Sequence, residues 1–73
     1  MDNKEILLYS LGKRIKFLRK EKGFTQLSFS FEIDCSKNFI SDIETGRRNP
    51  SVKSLKRIAD GLGVTLEELF KGL

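Results

Sequence analysis

The sequence predicts an all-α fold, a compact domain of five helices. Three observations carry this. No stretch alternates apolar and polar residues with the period of two that a half-buried strand shows. Large apolar residues recur instead at three- and four-residue steps, the spacing of one helix face. The segments that carry them open at Asp, Asn, Ser or Thr, and most close near glycine, the start and stop signals of helices.

In order along the chain, Asp2 or Asn3 caps the first helix, whose stripe is Leu8, Leu11, Ile15 and Leu18, and Gly23 stops it. Thr25 caps the second, with Phe29 and Ile33 inward, and Asp34-Cys35 makes the following turn. Ser36 caps the third; its inward residues are Phe39, Ile40 and Ile43, and Gly46 ends it. Pro50-Ser51 opens a fourth helix carrying Leu55, Ile58, Ala59 and Leu62, with Gly61 and Gly63 near its end. Thr65 with Glu68 three residues later is the capping box expected for a fifth, bearing Leu66, Leu69 and Phe70. There is no internal repeat and no low-complexity tract.

A chain of 73 residues has room for one domain, spanning 1–73, with one small core. Its apolar fraction of 38% suits a packed domain and is too high for a disordered tail. No apolar run approaches the roughly 18 residues needed to span a bilayer, and no export signal opens the chain. Cys35 is the single cysteine and there is no histidine, so neither an internal disulfide nor a zinc site is expected. No cofactor, metal or small-molecule ligand is expected, and the expected compartment is the cytoplasm. Residues 1–57 hold 13 Lys or Arg against 7 Asp or Glu, a balance of +6, whereas residues 58–73 stand at −2. A basic body with a mildly acidic end suits a polyanion.

The second and third helices are separated by only a few residues, the arrangement of a helix-turn-helix. With 39, 40 and 43 inward, Lys37, Asn38, Ser41, Asp42 and Thr45 are left on the other side. A helix of ten residues is roughly 15 Å long and the DNA major groove roughly 12 Å wide. Such a face is ordinarily just solvated. Here basic residues surround it in sequence, which favours a nucleic acid.

At these residues the sequence resembles the Cro/phage-repressor (XRE) helix-turn-helix family of bacterial and phage transcription regulators. The segments "LGKRIKFLRKEKGFTQ", "SKNFISDIETGRRNPS" and "LKRIADGLGVTLEELF" occur in the family's order and spacing, over about Leu11 to Phe70. The resemblance implies a lambda-repressor-like domain that binds the major groove of double-stranded DNA. Carried over, it gives Gln26 a role in bonding the DNA backbone and bracing the third helix. It implies that Lys37, Asn38 and Asp42 reach base edges with Ser41 close beside them, that Arg47, Arg48 and Asn49 grip phosphates, and that Arg19 pairs with Glu44. Chemistry agrees: Asn bonds adenine through two atoms, lysine donates to guanine, and a carboxylate accepts from cytosine. Thr25 caps a helix whose first N–H groups favour a phosphate, and backbone contacts set register while base contacts specify.

The departures carry expectations of their own. Asp34 stands where the family usually has glycine and must accept a left-handed conformation. Ser30 replaces a small alanine and needs a backbone carbonyl if buried. Phe17, Leu27 and Phe31 stand where the family is commonly polar. Leu27 and Phe31 share a helix face; they are expected to pack under the N-terminal extension of about 1–10 (Ile6, Leu7, Tyr9), or else to form a patch for a partner.

The leading function is a sequence-specific DNA-binding transcription regulator, a repressor acting as a homodimer on a two-fold operator. The alternatives are the controller protein of a restriction-modification system, and an antitoxin-type interaction module whose Leu27/Phe31 patch holds a toxin. An enzyme is disfavoured, because there is no histidine, glycine-rich phosphate loop or activated nucleophile. Helix one, though basic and amphipathic, needs its oily side for the core, which argues against a membrane. One domain reaches one half-site, and no separate dimerisation domain follows Phe70. Leu66, Leu69, Phe70 and Leu73 crowd the end of the chain; Leu69, Phe70 and Leu73 are the expected dimer interface, with Leu66 inward.

Overall fold

In the computed structural model, which describes residues 2–73, five helices follow one another: α1 (Asn3–Glu21), α2 (Gln26–Glu32), α3 (Lys37–Glu44), α4 (Val52–Leu62) and α5 (Leu66–Leu69). All five start the same way. Asp2, Thr25, Ser36, Ser51 and Thr65 each stand in extended backbone, and each side-chain oxygen accepts the N–H three residues on. Those bonds run from 2.7 Å at Asp2 to 3.1 Å at Thr65, satisfying a donor that the helix itself leaves unpaired.

The caps were legible, but their details differ. At Thr25 the reciprocal box is closed by Ser28, which Thr25 N–H reaches at 2.9 Å. At Thr65 only half of the expected box forms: Glu68 N–H donates to Thr65 Oγ1, and the Glu68 carboxylate makes no return bond. Helix α3 has eight residues rather than ten, so it is roughly 12 Å long, still a match for the groove. The expected N-terminal extension is continuous with α1 from Asn3 onward.

The core is built from every helix: Leu11, Ile15, Leu18, Phe29, Ile33, Ile40, Ile43, Leu55, Ile58, Ala59, Leu62 and Leu69. Leu8, at the head of the predicted stripe, is only part-buried. Helix α1 lies close against the end of α3, and Gly12 is the reason it can. A Cβ there would stand 2.5 Å from the Ile43 carbonyl oxygen and 2.6 Å from that of Glu44. The radius of gyration, 11.1 Å, is what a packed chain of this length has, about 11 Å.

Two expectations fail at the surface. Leu69 is fully buried, so it belongs to the core and is closed to a partner. Helix α5 is a single turn, and it directs Leu69 inward while Leu66 is only part-buried. Leu27 and Phe31 are not covered by the N-terminal residues: Phe31 is 76% exposed and Leu27 50%, and Ile6, Leu7 and Tyr9 are themselves about half exposed. Tyr9 lies by the end of α3 instead, its backbone 3.2 Å from where a Gly46 Cβ would be.

Candidate nucleic-acid interface

The turn between α2 and α3 sets the geometry of the site. Asp34 takes φ 55°, the left-handed conformation that a short polar residue tolerates. Arg57, from α4, donates to the carbonyls of Ile33 and Asp34, the latter at 3.0 Å. Ser30 is buried and donates to Leu27 O at 2.6 Å, which satisfies its hydroxyl. Cys35 packs in the turn; burial pushes its thiol above the ordinary range, with Arg57 opposing and Asp34 adding to the rise. It is a packing residue with weak nucleophilic character.

Behind α3 sits a buried ionic cluster. Arg19 and Glu44 form a two-point pair, Nε to Oε2 at 2.6 Å and Nη2 to Oε1 at 3.0 Å. The remaining Arg19 donor, Nη1, reaches Phe24 O at 2.8 Å. Gln26 donates from Nε2 to Glu44 Oε1 at 3.1 Å. One carboxylate at the end of α3 is thereby tied to α1 and to the first residue of α2. Among the described residues no buried side-chain polar atom is left without a partner, so the charges sit in a satisfied network.

The outward face of α3 is polar along its length. Lys37 and Asn38 are exposed in the first turn; Ser41 and Asp42 are part-buried one turn later. Gly46, at φ 77°, bends the chain out of the helix. Gly46 N–H reaches Ile43 O at 3.1 Å and Arg47 N–H reaches Asp42 O at 2.9 Å, a Schellman closure that fixes the exit direction. Arg47, Arg48 and Asn49 then follow, all exposed. Arg47 Nη1 lies 3.8 Å from Asp42 Oδ1 across open surface, where an ion pair contributes little. The Arg48 guanidinium stands over the ring of Phe39, 4.9 Å from its centre. Thr25, exposed, and Gln26, part-buried, open α2.

Three contacts escaped the sequence reading. Ser28 completes the Thr25 box, yet it is neither Glu nor Gln, the residues that signal one. Arg57 and Arg14 bond main-chain carbonyls far away in sequence, Arg14 reaching Glu68 O at 2.9 Å. No local spacing signals such pairs.

A model of the helix-turn-helix domain matches residues 15–69, which is most of the chain. The chain belongs to the helix-turn-helix family. Among its relatives, the control protein C.MunI of a Mycoplasma species is 46% identical over 63 residues, 85% of each chain. The solved restriction-modification controller protein C.AhdI of Aeromonas hydrophila superposes with a TM-score of 0.83 at 30% identity, over 86% of this chain and 96% of that one. The controller protein C.Esp1396I, solved as a tetramer on its natural 35-base-pair operator, gives 0.76 at 34% identity, over 89% and 96%. Fold, family and relatives together make the chain a helix-turn-helix transcription regulator.

Proposed function

We propose that this helix-turn-helix regulator binds double-stranded DNA as a homodimer on a two-fold operator and represses transcription from it. The observation that carries this reading is the outward face of α3. Lys37 and Asn38 stand exposed at its start, Asp42 a turn later, and the exposed Arg47, Arg48 and Asn49 follow directly at its end. Lys37, Asn38 and Asp42 read base edges in the major groove, with Ser41 beside them. Arg47, Arg48 and Asn49 hold phosphates from one end of α3, and Thr25 and Gln26 from the start of α2. An aspartate in a surface that meets phosphates is repelled by them; Arg47 beside Asp42 offsets part of that charge, and a cytosine amino group is the base-edge donor its carboxylate can accept from.

The chain acts without catalysis, in the cytoplasm, as a single domain over 1–73 whose partners are DNA and a second copy. Among the described residues no helix is long and apolar enough to cross a membrane. A more specific reading, the controller of a restriction-modification system, is favoured by the likeness to the restriction-modification controller protein C.AhdI, 30% identical over 86% of this chain and 96% of that one. Genes for a methyltransferase and a nuclease beside this one support that reading; phage or toxin genes there argue against it.

Repeated selection from a pool of randomised duplexes tests the main reading. The expected result is an inverted repeat whose halves are centred about one helical turn apart, 10–10.5 base pairs. Recovery of duplexes with no shared sequence would overturn it.

A further inference from the structure

We propose that Phe39 is a positioning residue for the phosphate grip, its ring holding the Arg48 guanidinium in place beside α3. This rests on the reading that Arg48 meets the DNA backbone. Phe39 is the third residue of α3. It packs against the core yet remains only part-buried, on the helix whose other face is assigned to bases. Its ring has no polar atom, so it bonds neither a phosphate nor a base edge.

What the ring does touch is Arg48, 4.9 Å from its centre to the guanidinium carbon, well within the range of a cation–π contact. Arg48 has no carboxylate partner among the described residues, unlike its neighbour Arg47, which faces Asp42. The ring is therefore the contact that restrains Arg48 in a loop lacking helical hydrogen bonds. A free arginine loses many rotamers when it clamps a phosphate; one already laid on a ring loses fewer. A guanidinium lying over an aromatic face also keeps the N–H donors at its edge directed outward, where a phosphate takes them. The ring thus lowers the entropy lost on binding while adding no hydrogen bond of its own to DNA.

Because a phosphate contact is independent of sequence, a fluorescein-labelled duplex of mixed sequence is a sufficient probe. Anisotropy titrations over a salt series compare wild type, Phe39→Leu, Phe39→Tyr, Arg48→Ala and the Phe39→Leu/Arg48→Ala double variant. Circular dichroism melts set a temperature at which all five are folded. Phe39→Leu is expected to weaken binding about two- to fivefold, the size of an exposed cation–π contact, with the salt slope unchanged since no phosphate contact is lost. Phe39→Tyr, which keeps the ring face, retains wild-type affinity. Arg48→Ala weakens binding and lowers the slope by about 0.9, and Phe39→Leu adds nothing in that background. An equal loss from Phe39→Leu with and without Arg48 overturns the proposal, since the ring then acts only through the fold. So does wild-type binding by Phe39→Leu. Arg48→Ala with wild-type affinity and slope removes the assignment of Arg48 itself, a separate failure.

Discussion

Glu44 is the residue on which the interface turns. Its two oxygens take both forks of Arg19 and the amide of Gln26, so α1, α2 and α3 meet at one carboxylate. The Arg19 and Glu44 side chains are 6% and 2% exposed, which removes the solvent screening that makes surface pairs nearly worthless. Deleting one member leaves a buried charge unpaired. Glu44→Ala is therefore expected to destabilise the fold by about 3–5 kcal/mol in urea denaturation. In a double-mutant cycle with Arg19→Ala the coupling should exceed about 1 kcal/mol, and a coupling near zero would reject the cooperative pair. At Cys35 burial raises the thiol pKa, so the reactive thiolate is scarcer at neutral pH than for a free cysteine. A thiol reagent should label native protein more slowly than unfolded protein, with the native rate rising at higher pH; equal rates would contradict the packing of the part-buried Cys35 in the turn.

At the scale of helices, what could be read from sequence was what is local. Five starts followed from Asp2 or Asn3, Thr25, Ser36, Ser51 and Thr65, because a cap joins residues three apart; the structure puts the first cap at Asp2. The inward faces of α2, α3 and α4 followed from spacing for the same reason. What depends on distant residues was not legible. Arg14 and Arg57 lie among many exposed basic residues, and nothing nearby tells that Arg14 ends on a carbonyl of α5 and Arg57 on carbonyls of the turn after α2. A one-turn helix such as α5 has no periodicity to orient it, which is why spacing does not tell that Leu69 faces inward. Gly12 belongs to this class too, since its role appears only once α1 is laid on α3. Gly12→Ala forces the new methyl into the Ile43 and Glu44 carbonyls and must push the two helices apart. A loss of about 1–3 kcal/mol is expected, or a fall in Tm of roughly 4–8 °C per kcal/mol. An unchanged melt would show that the two helices separate freely.

Across the whole molecule, charge and shape divide the labour. The basic body carries the proposed DNA face, and the mildly acidic end carries Phe70 and Leu73, 37% and 45% exposed. With Leu69 withdrawn into the core, these two are what remains exposed of the apolar cluster at this end, and they are the proposed contact between two copies. The molecule measures 32 × 23 × 21 Å, so copies reading half-sites about 34 Å apart are near enough to touch. Phe70→Ala is expected to remain folded yet sediment as a monomer at concentrations where wild type is dimeric, with weaker binding to a two-fold site. A wild type that stays monomeric at every concentration would remove this interface.

The central claim, that α3 reads bases while the following loop holds phosphates, is tested most directly by comparing Asn38→Ala with Arg47→Ala. Both are titrated against the selected duplex and its single-base variants, each over a salt series. Asn38→Ala should relax the preference at one base-pair position, by about 1–3 kcal/mol, leaving the others intact. Arg47→Ala should weaken every duplex alike and lower the salt slope by about 0.9. Equal, sequence-blind losses from the two variants would contradict the account.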